Sequence, residues 1–164
     1  MFLLHNTLST DPLTILKSGK LLSSAKTKNV QLFGYKKGSP YIFLRLQRKL
    51  DDGTFYLDYK LLLETKFYLH IGWKGEPEGK IIDGTKLSLT ELTALLEEFG
   101  KKVDEYYTKA KKRMVMPRMM SNEILVANDI DLHKYLKKIY PNYLITKDMK
   151  KEIKSMYPDV ELIK

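Results

Sequence analysis

Apolar and polar positions along the chain fall into blocks of two kinds, one with the period of a strand and one with the period of a helix. Phe2, Leu3 and Leu4 run into His5 and predict a short buried first strand. Asp11 and Pro12 then supply an N-cap and a first-turn proline; Leu13, Ile15 and Leu16 form a short apolar stripe, and Gly19 closes the helix. Residues 41–73 are strand-rich: segments 41–46 and 56–63 are predicted to pair as a hairpin across Asp51, Asp52 and Gly53, and 67–73 is predicted as a third strand. Ser88 and Glu91 form a capping box. From there Leu92, Leu95, Leu96, Phe99, Val103, Tyr106 and Ala110 recur at helical spacing, predicting a helix through Arg113 with a bend at Gly100. Beyond Pro117, residues 123–127 predict a strand, 131–140 a helix stopped by Pro141, and 146–156 a last helix with Met149, Ile153 and Met156 on its apolar side.

Strands with helices inserted unevenly between them read as α+β, and 164 residues without repeat or low-complexity linker read as a single domain, 1–164. The longest apolar runs fall far short of the roughly 20 residues needed to cross a bilayer, so no membrane partner is expected. The N-terminus lacks the basic flank and cleavage site of a signal peptide, which gives the expectation of a cytoplasmic protein.

Charge adds a constraint on partners. With 29 Lys and Arg against 20 Asp and Glu the formal charge is +9, and such an excess attracts nucleic acid, nucleotide phosphates or another polyanion. The absence of cysteine excludes disulfides, thiolate nucleophiles and cysteine-held zinc. The three histidines, His5, His70 and His133, lack the spacing of a metal site on one element, so no metal is expected. No phosphate-binding Walker loop, dinucleotide glycine fingerprint or serine nucleophile elbow is present, and those enzyme classes drop out. Lys-, Ile- and Tyr-rich usage suggests an AT-rich viral or bacterial genome.

The remaining candidate chemistry lies at strand ends: Leu4, His5, Asn6 and Thr7 ending the first strand, Ser39, Pro40 and Tyr41 opening another, and Ser121, Asn122 and Glu123 opening a third. In order and type these segments resemble the ADP-ribosyltransferase fold, in the branch of diphtheria toxin and the poly(ADP-ribose) polymerases, where spaced His, Tyr and Glu residues lie on three core strands. The first strand is similar to that family's Leu-Tyr-His-Gly-Thr motif, and Ile15 to Gly19 resembles the helix end that follows it. Two positions depart from the pattern. Asn6 stands where glycine is usual, crowding the close backbone approach to a nicotinamide amide. Ser121 stands where arginine-modifying relatives carry a second glutamate, so an acceptor other than arginine is expected.

The resemblance implies a split, antiparallel-rich sheet and transfer of ADP-ribose from NAD to a nucleic-acid or protein acceptor. Glu123 would stabilise the positive charge that develops on the ribose and orient the nucleophile. His5 would bond a ribose hydroxyl, Thr7 would steady the turn with Asn6, and Tyr41 would stack on the nicotinamide ring, with Tyr35 as a second stacking residue. Arg45 and Arg118 would meet the pyrophosphate. Two other readings fit the same residues. One is a non-enzymatic nucleic-acid-binding protein using Arg45, Arg48, Lys49, Lys134, Lys137 and Lys138; the other is an interaction protein on an inactive transferase fold, with Asn6 as its mark.

Overall fold

Capping and alternation decide locally which segments become which element. In the computed structural model, which describes residues 1–7, 12–27, 39–48, 54–71, 79–112, 122–140 and 146–163, β1 (Phe2–His5) leads to α1 (Pro12–Ser18), β2 (Lys20–Leu21) and α2 (Ser24–Thr27). Gly19 takes the left-handed conformation, φ 69°, that lets the chain leave α1 directly into β2. Next come β3 (Ile42–Leu46), β4 (Phe55–Asp58), a 3₁₀ helix (Tyr59–Glu64), β5 (Lys66–Ile71), β6 (Ile82–Asp83) and a second 3₁₀ turn (Gly84–Lys86). The long α3 (Leu89–Lys112) begins at the expected capping box: the Ser88 hydroxyl accepts from the Glu91 amide at 3.2 Å, and the Glu91 carboxylate accepts from the Ser88 amide at 2.7 Å. The chain ends in β7 (Asn122–Val126), β8 (Ile130–Asp131), α4 (Leu132–Tyr135), β9 (Leu136–Ile139), α5 (Lys147–Met156) and β10 (Glu161–Leu162).

The protein is therefore mixed α and β, built on a large, mostly antiparallel sheet. Among the described residues its eight strands run β10-β9-β4-β1-β3-β7-β5-β6, and β2 and β8 form a separate ribbon. Every junction in the large sheet is antiparallel except the parallel β9–β10 edge. No helix among the described residues is long and apolar enough to cross a membrane.

Several elements differ from the sequence expectation. The predicted hairpin partners β3 and β4 are not neighbours, because β1 is inserted between them and pairs with both. The strand expected over 56–63 stops at Asp58, whose carboxylate accepts from the Lys60 amide at 3.0 Å and caps a 3₁₀ helix. The helix expected over 131–140 lasts one turn. Asp131 caps it, but Leu136 and Ile139 are drawn into the sheet beside β4, where pairing outweighs local helical preference. At Gly100 α3 continues as helix, with the end of the flexible Arg48 side chain lying against the glycine. The Asp51 to Gly53 turn lies outside the described residues.

The core lies on one face of the sheet. Leu3, Leu44, Leu46, Phe55, Leu57, Phe67, Ile124 and Val126 point to it and meet Leu13 and Leu16 of α1, Leu92, Leu96, Phe99 and Val103 of α3, and Ile153 of α5. Each such buried side chain contributes about 1.5–3 kcal/mol relative to exposure. Tyr157 completes the packing of α1 against the C-terminal helix, its hydroxyl donating to the Leu16 carbonyl at 2.8 Å.

Two backbone segments come close at Gly84, buried where the two 3₁₀ segments meet, its amide donating to the Thr65 carbonyl at 3.0 Å. A Cβ at that position would overlap the Leu62 carbonyl. Gly84→Ala is expected to cost about 1–3 kcal/mol, as for other overpacked sites, read as a lower urea midpoint; an unchanged midpoint would show that the two backbones have room to part.

Candidate functional site

Strand alternation sorts the remaining side chains onto the face opposite the core. Register pairs Leu4 with Arg45 across β1 and β3, and Leu44 with Ile124 across β3 and β7, so that Arg45 stands beside Glu123 one step further along. On the other side of β7, Glu123 is paired with His70 of β5. Directly paired residues share a face, and so do residues two apart. Arg45, Glu123 and His70 thus form a row across three strands, with Tyr41, Phe43, Leu125 and Tyr68 on the same face next to it. The Tyr41 and Tyr68 rings meet edge to face with centroids 5.6 Å apart. Tyr41, Phe43, Arg45, Tyr68 and Glu123 are half-buried, whereas Leu125 and His70 are buried.

Position explains the electrostatics of the row. Burial pushes the Glu123 carboxyl above its ordinary pKa, and the Arg45 charge partly opposes that shift. The carboxylate is thereby poised between a desolvating sheet surface and a neighbouring cation. The imidazole of His70 is only 4% exposed, and its Nε2 has no hydrogen-bond partner among the described residues. On the core side, the buried Asn122 amide donates to the Leu46 carbonyl at 3.0 Å and fixes the start of β7 against the end of β3.

His5 stands elsewhere. It pairs with Phe55 across β1 and β4, stacks on that core ring with centroids 6.4 Å apart, and belongs by alternation to the core face, opposite Glu123. Its Nδ1 donates to the Phe43 carbonyl at 3.1 Å, tying the end of β1 to β3. Burial lowers its pKa, with the carbonyl bond opposing. Thr7, also buried, donates from its amide and its hydroxyl to the Thr54 hydroxyl, both at 3.3 Å, and so anchors the turn in which Asn6 is exposed. Of the residues singled out from sequence, Tyr41, Arg45 and Glu123 come together on one face; His5 does not share it, and Tyr35 and Arg118 lie outside the described residues. His70 escaped sequence reasoning because its strand partner is 53 positions away; the one local signal was its two-residue spacing from Tyr68 in an aromatic strand.

The basic residues suggested for phosphate contact are partly committed. Lys134 bonds Glu64 at 2.6 Å and Lys138 bonds Glu161 at 2.7 Å, so their charge is shared with surface carboxylates, and Arg48 is held by Asp104 of α3. Among the described residues no group of three or more His, Asp or Glu side chains converges as a metal site.

The two shifted groups act on stability in opposite pH windows. Glu123 holds its proton more tightly folded than unfolded. Its penalty is absent below the ordinary carboxylate pKa of about 4.3 and grows as pH rises through the raised folded value. Glu123→Gln is therefore expected to raise the melting temperature at pH 7, with the gain vanishing near pH 4; a gain that is the same at both values would contradict a titrating origin. His5, depressed when folded, contributes stability above about pH 6.5 that is lost on acidification. His5→Gln is expected to flatten the fall in melting temperature between roughly pH 6.5 and 5, and an unaltered slope would assign that fall to other groups.

No family model, curated protein or solved structure matches this chain.

Proposed function

We propose that this chain is an ADP-ribosyltransferase-type domain that takes NAD as its substrate and transfers ADP-ribose to a macromolecular acceptor. The observation that carries the reading is the adjacency of β1, β3 and β7 in the middle of the sheet. His5 ends the first of these strands, Tyr41 precedes the second and Glu123 lies in the third, although they are far apart in sequence. That neighbourhood supports the order of strands the resemblance implies, while His5 itself faces the core, opposite Glu123.

The chemistry follows from the row beside β7. Transfer breaks the bond between ribose and nicotinamide, with the bonding pair leaving on nicotinamide, while positive charge develops on the sugar. The half-buried Glu123 carboxylate, in a low-dielectric setting, stabilises that charge and accepts the proton of the acceptor nucleophile as its new bond to the sugar forms. The Arg45 charge opposes the burial that favours the protonated Glu123 carboxyl and would supply positive charge for a phosphate. Tyr41 offers a ring face for nicotinamide and is braced by the edge contact with Tyr68. In this reading His5 is a positioning residue, holding the end of β1 against β3, while Thr7 anchors the turn through Thr54.

The test is nicotinamide release from NAD, followed by mass spectrometry, with cell extract added as a source of acceptor. The parent chain is expected to release nicotinamide, and Glu123→Gln to reduce the rate by about 10²–10³-fold, as for loss of a charge-stabilising group. Its fold is expected to persist. No release by the parent in the presence of extract, or equal release by the variant, would replace this reading with the inactive interaction fold to which Asn6 points.

A further inference from the structure

His70 is the one imidazole on the face that carries Glu123. It is paired with Glu123 across β5 and β7, and alternation aims both side chains the same way. The ring is 4% exposed, too enclosed to meet a ligand directly, and its Nε2 finds no hydrogen-bond partner among the described residues. Buried polar atoms are almost always paired, so an exception in a packed sheet calls for a partner close at hand. Among the described residues, the groups that face Glu123 from the adjoining strands are Arg45 on β3 and His70 and Tyr68 on β5, while α1, α3 and α5 contribute to the core on the opposite face. Within this set the carboxylate is the acceptor best matched to an imidazole N–H, and directly paired residues of antiparallel strands have Cβ atoms about 4.5–5.5 Å apart, within a side chain's reach.

We infer that His70 is the positioning residue for Glu123: its Nε2–H donates to one carboxylate oxygen, fixing the rotamer and leaving the other oxygen free toward the reacting sugar. This role rests on the transferase reading for its catalytic meaning, but the pairing itself does not. A hydrogen bond to the ionised form favours ionisation. Arg45 on one side already opposes the upward push of burial on the Glu123 carboxyl, and the bond from His70 on the other side would add to that opposition. The pair also supplies what the position of His5 does not: an imidazole on the face where the chemistry is placed.

The decisive experiment is a carbon-detected titration of the Glu123 carboxyl in the parent, His70→Leu and His70→Gln, without substrate, beside nicotinamide release by the same three proteins across pH. His70→Leu is expected to raise the Glu123 midpoint by about half a pH unit or more. If the parent is active, the acid limb of its rate profile moves up with it, and kcat falls about tenfold or more with KM held within about twofold. His70→Gln, which keeps an amide donor near the Nε2 position, is expected to recover part of both effects, separating a lost hydrogen bond from lost packing. A Glu123 midpoint unmoved in His70→Leu would overturn the pairing whether or not the protein turns over NAD. A shifted midpoint in a parent that releases no nicotinamide would uphold the pairing and sink the transferase reading alone.

Discussion

The alternation of β3 is the constraint on which the rest of the structure depends. Ile42, Leu44 and Leu46 are buried in the core, while Tyr41, Phe43 and Arg45 stand half-buried on the other face. Because β3 is hydrogen-bonded to β1 on one side and β7 on the other, its register fixes which residues of both neighbours face the core. A slip of one residue would drive Arg45 into the apolar layer under α3 and expel Leu44 from it. The burial of one face thus secures the placement of Glu123 and His70 on the other. Stability and site geometry are set by the same pairing.

That arrangement places opposing demands on Glu123. A carboxylate half-buried on a sheet loses hydration, which favours its neutral form. The proposed use as a charge stabiliser would need the ionised form. Arg45 on one side supplies charge, and a hydrogen bond from the other side would supply orientation. Sites that keep a group against its intrinsic preference spend folding stability to do so. Tyr41, Phe43 and Tyr68 next to Glu123 are aromatic and suit a half-buried surface without such a penalty.

The sequence disclosed elements whose signal is local. The capping box of Ser88 and Glu91 and the apolar stripe after it marked α3 nearly to the residue, and the spacing of Met149, Ile153 and Met156 marked α5. The apolar runs of β1, β3, β5 and β7 were legible for the same reason. What was not legible is set by pairing at a distance. Residues 56–63 and 131–140 read as uninterrupted strand and helix, yet each changes form part-way, the first at the Asp58 cap and the second at Leu136, where α4 gives way to β9, and β4 and β9 are joined to each other. The candidate site shows the same division. Tyr41, Arg45 and Glu123 could be proposed from type and order, but the face that each side chain takes depends on register. Register separated His5 from Glu123 and brought His70 in its place, and no spacing along the chain encodes it.

The central claim is that NAD binds on the face bearing Tyr41, Arg45, Tyr68, His70 and Glu123. Backbone and side-chain resonances followed by NMR as NAD is added test it most directly. The account predicts saturable shifts concentrated in β3, β5 and the start of β7, with α5 and His133 unmoved. Shifts confined to the lysines of β9 and α5 and abolished by salt, or no shifts at all, would contradict it.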